Sequence, residues 1–160
     1  MCKRTGRLSK CRLVLVSFAL VVFRELDPGI CFGSLLPCDL FSGKTFVAAE
    51  LLQRRLKKVQ SKRGLFLVPC RNLVDQQANA IEEWIGRNEK VDRFHGGLAP
   101  PGKGLSRILV STPEAFIGLQ SSQLVDFGWD TFSVCVFDEV HHMLKDHPYR
   151  RLALNLRNHS

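Results

Sequence analysis

The chain has 160 residues, 45% of them hydrophobic, so it is long enough for one ordinary globular core and too short for two. Its formal net charge is +8, from 23 basic and 15 acidic residues. Six of the basic residues precede the first acidic residue, Glu25, which leaves 17 basic against 15 acidic residues in the rest of the chain. The charge is therefore mostly an N-terminal feature and does not by itself indicate a nucleic-acid-binding surface on a folded domain.

The N-terminal segment joins basic residues to a short apolar run. The residues up to Arg12 are rich in Lys and Arg, and residues 13–23 are apolar. This order matches a signal peptide, but the run is too short to cross a bilayer and no small-residue cleavage site follows it. Three interpretations stay open: a buried strand or helix of the fold, a targeting segment, or sequence foreign to the domain. We expect a cytoplasmic or nuclear protein without stable membrane association. The signal-like N-terminus argues against this localisation.

Helical and strand patterns alternate from Lys44 onward. Helices are predicted where apolar residues recur at helical spacing, and strands where short apolar runs are bounded by Gly, Pro or acidic residues. The predicted helices cover residues 44–58, 71–85 and 114–119, and the predicted strands cover residues 65–68, 91–94, 107–111 and 132–137. This alternation predicts a parallel sheet covered by helices on both faces, with ligands bound at the carboxyl ends of the strands.

The six cysteines indicate neither a zinc site nor a disulfide framework, because they form no Cys-x-x-Cys pair and no matching histidine spacing. Cys70 and Cys135 lie in apolar runs and are predicted to be buried free thiols. This pattern favours a reducing compartment.

The first predicted helix opens with a phosphate-binding pattern, Ser42, Gly43, Lys44 and Thr45. Backbone N–H groups at a helix start, a glycine, a lysine charge and a hydroxyl for Mg²⁺ are the groups that hold a nucleotide's phosphates. The pattern is short, and taken alone a flexible turn explains it as well. Asp138 and Glu139 strengthen the nucleotide interpretation, because they follow the apolar strand 132–137 as a metal-holding and a water-activating carboxylate would.

Four segments in order resemble the first RecA-like lobe of superfamily 2 DExD/H-box helicases. Residues 138–141, Asp-Glu-Val-His, resemble the DExD/H box, and residues 68–76 resemble the family's P-x-R-x-L-x-x-Q segment. Residues 94–97 resemble the glycine pair that follows, and residues 110–114 resemble the V-x-T-P motif. The box and the later His-Pro-Tyr are similar to the Dicer and RIG-I-like receptor branch, which acts on double-stranded RNA.

The resemblance implies a three-layer α/β RecA-like P-loop fold with a mainly parallel sheet, here incomplete. It begins at Ser42, so we divide the chain into an atypical segment, residues 1–41, and a truncated ATP-binding lobe, residues 42–160. The implied cofactors are ATP and Mg²⁺. The implied partners are RNA, double-stranded in the Dicer branch, or DNA, together with a second helicase lobe in a longer protein.

The resemblance also implies roles for particular residues. Lys44 would contact the β and γ phosphates, and Glu139 would be the catalytic base beside the magnesium ligand Asp138. His141 would couple the nucleotide state to the second lobe. Ser42, Gly43 and Thr45 complete the nucleotide set, with Thr45 also reaching Mg²⁺. The nucleic-acid track would comprise Pro69, Arg71, Gln76, Gly96, Gly97, Thr112 and Pro113. A plainer interpretation stands beside each: a solvated helix start for Arg71, a turn for the glycines, and a capped helix start for Thr112 and Pro113.

The sequence departs from the family inside the phosphate loop. Cys38 stands where the first glycine belongs, and Leu40 and Phe41 occupy the threonine and inner-glycine positions. A phenylalanine ring crowds a backbone that must curl around a phosphate. We therefore hypothesise that residues 1–41 derive from a misread exon or a rearranged gene. The favoured function is an ATP-dependent helicase lobe, inactive alone, and the alternative is a non-catalytic nucleic-acid-binding fragment.

Overall fold

The computed structural model describes residues 11–16, 19–24, 43–86, 89–101, 106–122, 127–139 and 147–158. Strands β1 (Cys11–Val16) and β2 (Ala19–Arg24) come first, then helix α1 (Gly43–Lys58), β3 (Arg63–Leu67) and α2 (Arg71–Ile85). Next come β4 (Val91–Phe94), β5 (Ile108–Ser111), α3 (Pro113–Ser121), a 3₁₀ turn (Trp129–Thr131), β6 (Phe132–Phe137) and α4 (Pro148–Asn158). Every strand and helix predicted from Lys44 onward is present, with ends that differ by at most two residues from the predicted ones.

The strands form one sheet in the order β1-β2-β6-β3-β5-β4. Strands β6, β3, β5 and β4 are parallel to one another, as the alternating pattern predicted. Their side chains alternate between the two faces, so each strand contributes to two separate cores. The four-stranded parallel part confirms the α/β RecA-like class.

The two cores lie on opposite faces of the sheet and are covered by different helices. Helices α1 and α2 bury Ala48, Leu52 and Ala78 against one face, together with Phe66 and Val134 from the strands. The opposite face is covered by α3 and α4, with a second set of buried residues: Phe116, Tyr149, Leu152, Leu65, Leu109 and Phe137. This is the three-layer arrangement expected of a parallel sheet whose strands are apolar on both faces.

The N-terminal apolar residues join the sheet as a hairpin. Strand β1 pairs antiparallel with β2, and β2 pairs antiparallel with β6, where Leu20 lies opposite Phe137. The described residues of the apolar run, 13–16 and 19–23, thus fall within two strands, which extend the parallel sheet by an antiparallel edge. Among the described residues, no helix is long and apolar enough to cross a membrane.

Gly64 lets α1 pack directly on β3. A Cβ built at Gly64 would lie 2.6 Å from Cδ2 of Leu52, which is buried in the α1 core. We expect Gly64→Ala to lower the free energy of unfolding by about 1–3 kcal/mol, because the fully buried Leu52 must leave its rotamer or α1 must move away from the sheet. Gly118→Ala is the matched control, since Gly118 is exposed in α3 and an added Cβ meets nothing within 4 Å. The free energy of unfolding of Gly118→Ala is expected to rise by about 0.5–1 kcal/mol, because alanine suits a helix better than glycine. Urea unfolding of both variants measures the two changes.

Candidate functional site at the carboxyl edge of the sheet

The first turn of α1 lies at the same edge of the sheet as the carboxyl ends of the parallel strands. The other end of α1 is fixed to the amino edge, because the guanidinium of Arg107, just before β5, donates to the carbonyls of Leu56 and Val59. A helix rises about 1.5 Å per residue, so the α1 start lies about 20 Å away, roughly the length of a strand. Gly43 and the half-buried Thr45 therefore lie near the carboxyl edge.

Asp138 is held at the end of β6 by the neighbouring strand. Its backbone N–H donates to the carbonyl of Leu67, the last residue of β3, at 2.9 Å. The residue is only 7% exposed, and its Oδ1 accepts a hydrogen bond from the N–H of Glu139 at 3.0 Å. A buried carboxylate that is fixed in this way suits a metal ligand, because its position does not depend on solvent.

Glu139 adopts a backbone conformation that glutamate rarely takes. Its φ is 53°, and among the described residues it is the non-glycine residue with positive φ. Such a conformation costs about 1–3 kcal/mol and persists only where the surrounding structure imposes it, as is common at active sites. The positive φ ends the extended course of β6 at Glu139, which is half-buried. This is the position at which a water-activating carboxylate is expected.

The loop after β3 is tied to the end of β5. The N–H of Val68 donates to the carbonyl of Ser111 at 3.0 Å, and Pro69 and Cys70 then lead into α2, which begins at Arg71. Cys70 takes the extended N-cap position of α2 and is exposed, so the prediction that it is a buried thiol is wrong. The apolar run ends at Val68, and the turn into the helix brings Cys70 to the surface. Cys135 in β6 is buried, as predicted.

Arg71 and the glycine pair come together at this edge. A Cβ at Gly96 would lie 2.9 Å from a guanidinium nitrogen of Arg71, so the two residues are in contact although they are far apart in sequence. Gly97 has a φ of 106°, a conformation that favours glycine. Arg71 is exposed. The contact places Arg71 and Gly96 on one surface.

Thr112 and Pro113 occupy the next position along the same edge. Thr112 is the N-cap of α3, and Pro113 takes the first helical position. The N–H of Thr112 donates to the carbonyl of Phe94 at 3.3 Å. This hydrogen bond holds the start of α3 at the end of β4, two residues before Gly96, and both Thr112 and Pro113 are buried. Gln76 is exposed on α2, more than one helical turn away from Arg71. The structure thus brings Arg71, Gly96 and Thr112 to one edge and leaves Gln76 farther along the helix.

Three of the predicted site positions lie wholly or partly outside the described residues. Ser42 and His141 are not described, and neither is the side chain of Lys44, whose backbone belongs to the first turn of α1. The loop positions Cys38, Leu40 and Phe41 also fall outside, as does the boundary between the two predicted segments at 41–42. Their assignments stay predictions.

Tyr149 is a site residue that the sequence analysis did not select. It is fully buried, and its hydroxyl donates to the carbonyl of Leu67 at 2.9 Å, the same carbonyl that Asp138 uses. His147 is the N-terminal cap of the same helix, since its Nδ1 accepts from the N–H of Tyr149 at 3.3 Å. The His-Pro-Tyr pattern was the available signal for Tyr149, but it served only to place the chain within the superfamily.

The residues at this edge fit a magnesium-bound nucleotide. Mg²⁺ prefers oxygen donors, and a buried carboxylate at Asp138 and a hydroxyl at Thr45 supply them. The start of α1 presents N–H groups without helical partners to an anion. The exposed Arg71 and the glycines form a separate surface next to it, where a phosphate backbone can approach closely.

Comparison with known proteins gives one family and a set of related chains. The sequence profile of the family described as type III restriction enzyme, res subunit, matches residues 42–159. Dicer-like protein 2 of Coccidioides immitis is 29% identical over 134 residues, which is 74% of this chain and 9% of that protein. Dicer-like protein 1 of Aspergillus fumigatus is 31% identical over 71% of this chain and 8% of its own length.

A third relative extends the match. Endoribonuclease dcr-1 of Caenorhabditis elegans is 29% identical over 147 residues, which is 81% of this chain and 8% of that protein. The chain therefore spans less than a tenth of the length of these relatives. The family match covers the parallel sheet from α1 onward together with all the helices, which is the part that carries the candidate site. The chain belongs to the type III restriction enzyme res-subunit family and is the first lobe of a DExD/H-box helicase-type domain, similar to the corresponding part of Dicer-like proteins.

Proposed function

We propose that this domain binds ATP with Mg²⁺ and couples its hydrolysis to movement along RNA when it is joined to a second helicase lobe. The observation that carries the proposal is the meeting of two kinds of site at one edge of the sheet. The buried Asp138 and the strained Glu139 lie at the end of β6, and Arg71 and Gly96 are in contact at the ends of the neighbouring strands. A motor needs both sites close enough to influence each other.

In this proposal the nucleotide lies across the start of α1. Lys44 neutralises the β and γ phosphates, and Ser42 and Gly43 give the backbone room to approach them. Thr45 and Asp138 hold Mg²⁺, which supplies charge neutralisation on the phosphoryl group that is transferred. Glu139 orients the attacking water and accepts its proton. His141 passes the nucleotide state to the second lobe.

The nucleic acid lies along the adjoining surface. Arg71 contacts phosphates as a cation, while Gly96 and Gly97 allow the sugar–phosphate backbone to approach closely. Pro69, Thr112 and Pro113 shape the same track, and Gln76 extends it along α2. These contacts reach backbone atoms and not base edges, so binding is independent of sequence. Double-stranded RNA is the favoured partner, because such duplexes are recognised through their shape, phosphates and 2′-hydroxyls, and the related chains carry the names Dicer-like and endoribonuclease.

Nucleotide binding that depends on Lys44 tests the proposal. Titration of the chain with a fluorescent ATP analogue and Mg²⁺ is expected to show saturable binding that Lys44→Ala weakens by about 10- to 100-fold, because a charged contact to phosphate contributes about 1.5–3 kcal/mol. Lys58→Ala is the control, since Lys58 is exposed at the opposite end of the same helix. An affinity that is the same in wild type and Lys44→Ala would contradict the proposal.

A second candidate function follows from the phosphate loop itself. Phe41 stands at the position that favours glycine in the family's loop, where a ring would crowd a backbone that must meet a phosphate. On this account the chain binds nucleic acid without using ATP. Binding of an RNA duplex by a chain that takes up no nucleotide would favour this second function. Restoration of nucleotide binding by Phe41→Gly would identify the ring as the cause.

A further inference from the structure

Tyr149 lies where the two proposed sites meet. It belongs to the first turn of α4, its side chain is fully buried, and its ring packs edge-on against Phe137 with ring centroids 5.8 Å apart. Its hydroxyl donates a 2.9 Å hydrogen bond to the carbonyl of Leu67. The ring explains why an aromatic residue is there, since it fills the core between α4 and β6. The hydroxyl requires a separate explanation, because phenylalanine would fill the same space.

The carbonyl of Leu67 accepts two hydrogen bonds from two different parts of the site. One comes from the backbone N–H of Asp138 and the other from the hydroxyl of Tyr149, each at 2.9 Å. Leu67 is the last residue of β3, and the chain runs from it directly into Pro69 and Arg71. One oxygen atom thus joins the proposed magnesium ligand, the start of the proposed nucleic-acid segment and α4.

The ionisable groups that act on the phenol come from three neighbouring segments at this edge. Burial raises the pKa of Tyr149 far above its usual value, and the negative charges of Asp138, Glu114 and Glu139 and of Cys70 in its ionised form raise it further. These groups belong to the end of β6, the start of α3 and the loop before α2. The raised pKa agrees with the geometry, in which the hydroxyl donates to the carbonyl of Leu67.

The start of α4 is fixed independently of this hydrogen bond. His147 caps the helix through its Nδ1, and its ring lies 5.1 Å from the ring of Tyr149. Leu152 and Leu156 hold the rest of α4 against the sheet. Removal of the hydroxyl should therefore leave α4 in place and change only its connection to the carbonyl of Leu67.

We propose that Tyr149 is a positioning residue that couples nucleotide binding at Asp138 to nucleic-acid binding at Arg71 through the shared carbonyl of Leu67. A nucleotide and its metal shift the end of β6, which carries Asp138. The hydrogen bond from Asp138 to Leu67 transmits that shift to β3. The hydroxyl of Tyr149 links β3 to α4, which stays in place, so that the movement of β3 relative to α4 is defined. The segment Pro69–Arg71 then changes position. Coupling between two sites is a free energy, so each ligand changes the affinity of the other by the same factor.

Tyr149→Phe tests the proposal, because it removes the hydroxyl and keeps the ring. We would measure the affinity of the chain for a non-hydrolysable ATP analogue with Mg²⁺, with and without a saturating short RNA duplex. In the wild type the duplex is expected to change nucleotide affinity by about 5- to 150-fold, the usual range of such coupling. In Tyr149→Phe the factor is expected to fall towards one, while each ligand measured alone binds within about twofold of wild type.

Ile108→Val is the control for a loss of stability. Ile108 is buried at the amino end of β5, at the opposite edge of the sheet, so its substitution lowers the melting temperature without touching the site. We expect it to keep the wild-type coupling factor. Retention of the wild-type factor in Tyr149→Phe would overturn the proposal, as would a decrease of equal size in Ile108→Val.

The proposal rests on the function proposed above, and the same titrations separate the two. A wild-type chain that binds both ligands without any mutual effect would overturn the coupling role and leave the two binding sites standing. A wild-type chain that binds neither ligand would overturn both proposals. Loss of coupling in Tyr149→Phe alone, with both single affinities intact, is the result expected of a positioning residue and not of one that merely stabilises the fold.

Discussion

Glu139→Gln is expected to slow ATP hydrolysis by about 10²- to 10⁴-fold, the usual contribution of a general base, while nucleotide affinity stays close to wild type. Glutamine keeps the size and the hydrogen-bonding shape of the side chain but cannot accept the proton of the attacking water. Asp138, which we assign to the metal, is unchanged by the substitution. The measurement is single-turnover hydrolysis by the domain together with a second helicase lobe, in the presence of an RNA duplex.

Glu83→Gln is the matched control for the loss of one carboxylate. Glu83 is exposed on α2, outside the edge where the strands end, so its substitution is expected to leave hydrolysis unchanged. A hydrolysis rate in Glu139→Gln within about threefold of the control would remove Glu139 from the catalytic role. Simultaneous loss of nucleotide binding would instead place Glu139 among the binding groups.

The backbone at Glu139 supplies a second, independent readout of the same residue. Because its φ is 53°, Glu139→Gly relieves a strain of about 1–3 kcal/mol, which offsets the backbone entropy that glycine costs, about 0.5–1 kcal/mol. We expect this variant to be as stable as wild type or more stable, although it is inactive. Glu83→Gly in α2 carries the entropic cost alone and is expected to be destabilised by about 1 kcal/mol. Urea unfolding measures the free energy of unfolding of both variants. If Glu139→Gly loses as much of it as Glu83→Gly, the backbone at Glu139 is not strained.

The regular elements could be predicted because they obey local rules. Strand β6 (Phe132–Phe137) is buried at every residue and followed directly by two acids, and α2 (Arg71–Ile85) stops at Gly86, where φ is 102°. The start of β3 was less well predicted. Gly64 resembles a break between elements in the sequence, but in the structure it pairs within the strand. It is a glycine there because Leu52 of α1 fills the space that a side chain would need.

The contacts that assemble the site depend on tertiary structure and had no local signal. The order of the strands brings Gly96 against Arg71 and places the carbonyl of Leu67 between Asp138 and Tyr149. The motif residues could be found one at a time from their types and spacing. Which of them touch, and that Tyr149 is the buried connection, followed only from the packing of α4 against the sheet.

The antiparallel hairpin at the edge of the sheet was also beyond local rules. The apolar run 13–23 was compatible with a strand, a helix or a targeting segment, and no turn signal divides it in the sequence. In the structure β2 pairs with β6, whose free edge offers a row of unpaired backbone groups. Pairing with β2 gives hydrogen-bond partners to these backbone N–H and C=O groups. An apolar segment that stays apart from the sheet cannot supply them. The composition of the run therefore left its form undecided, and its neighbour in the sheet determined it.

Reversal of the charge at Arg71 is expected to weaken nucleic-acid binding by at least about tenfold. Arg71 is exposed and lies against Gly96, so its guanidinium faces the surface that we assign to the phosphate backbone. Arg71→Glu removes an attraction worth about 1.5–3 kcal/mol and adds repulsion. The measurement is the affinity for an RNA duplex at several salt concentrations, by fluorescence anisotropy.

Lys90→Glu is the matched control, because it reverses one exposed charge at the amino end of β4, the opposite end of the strand that leads to Gly96. Net charge falls equally in the two variants, so a difference between them reports the position of the charge and not its amount. If Arg71 binds a phosphate, only Arg71→Glu reduces the slope of log affinity against log salt concentration, by about 0.7–0.9 for each phosphate that is no longer neutralised. Its loss of affinity is then the same for duplexes of different sequence. If the two variants lose affinity equally, attraction between net charges accounts for the binding, and the surface around Arg71 and Gly96 is not the nucleic-acid track.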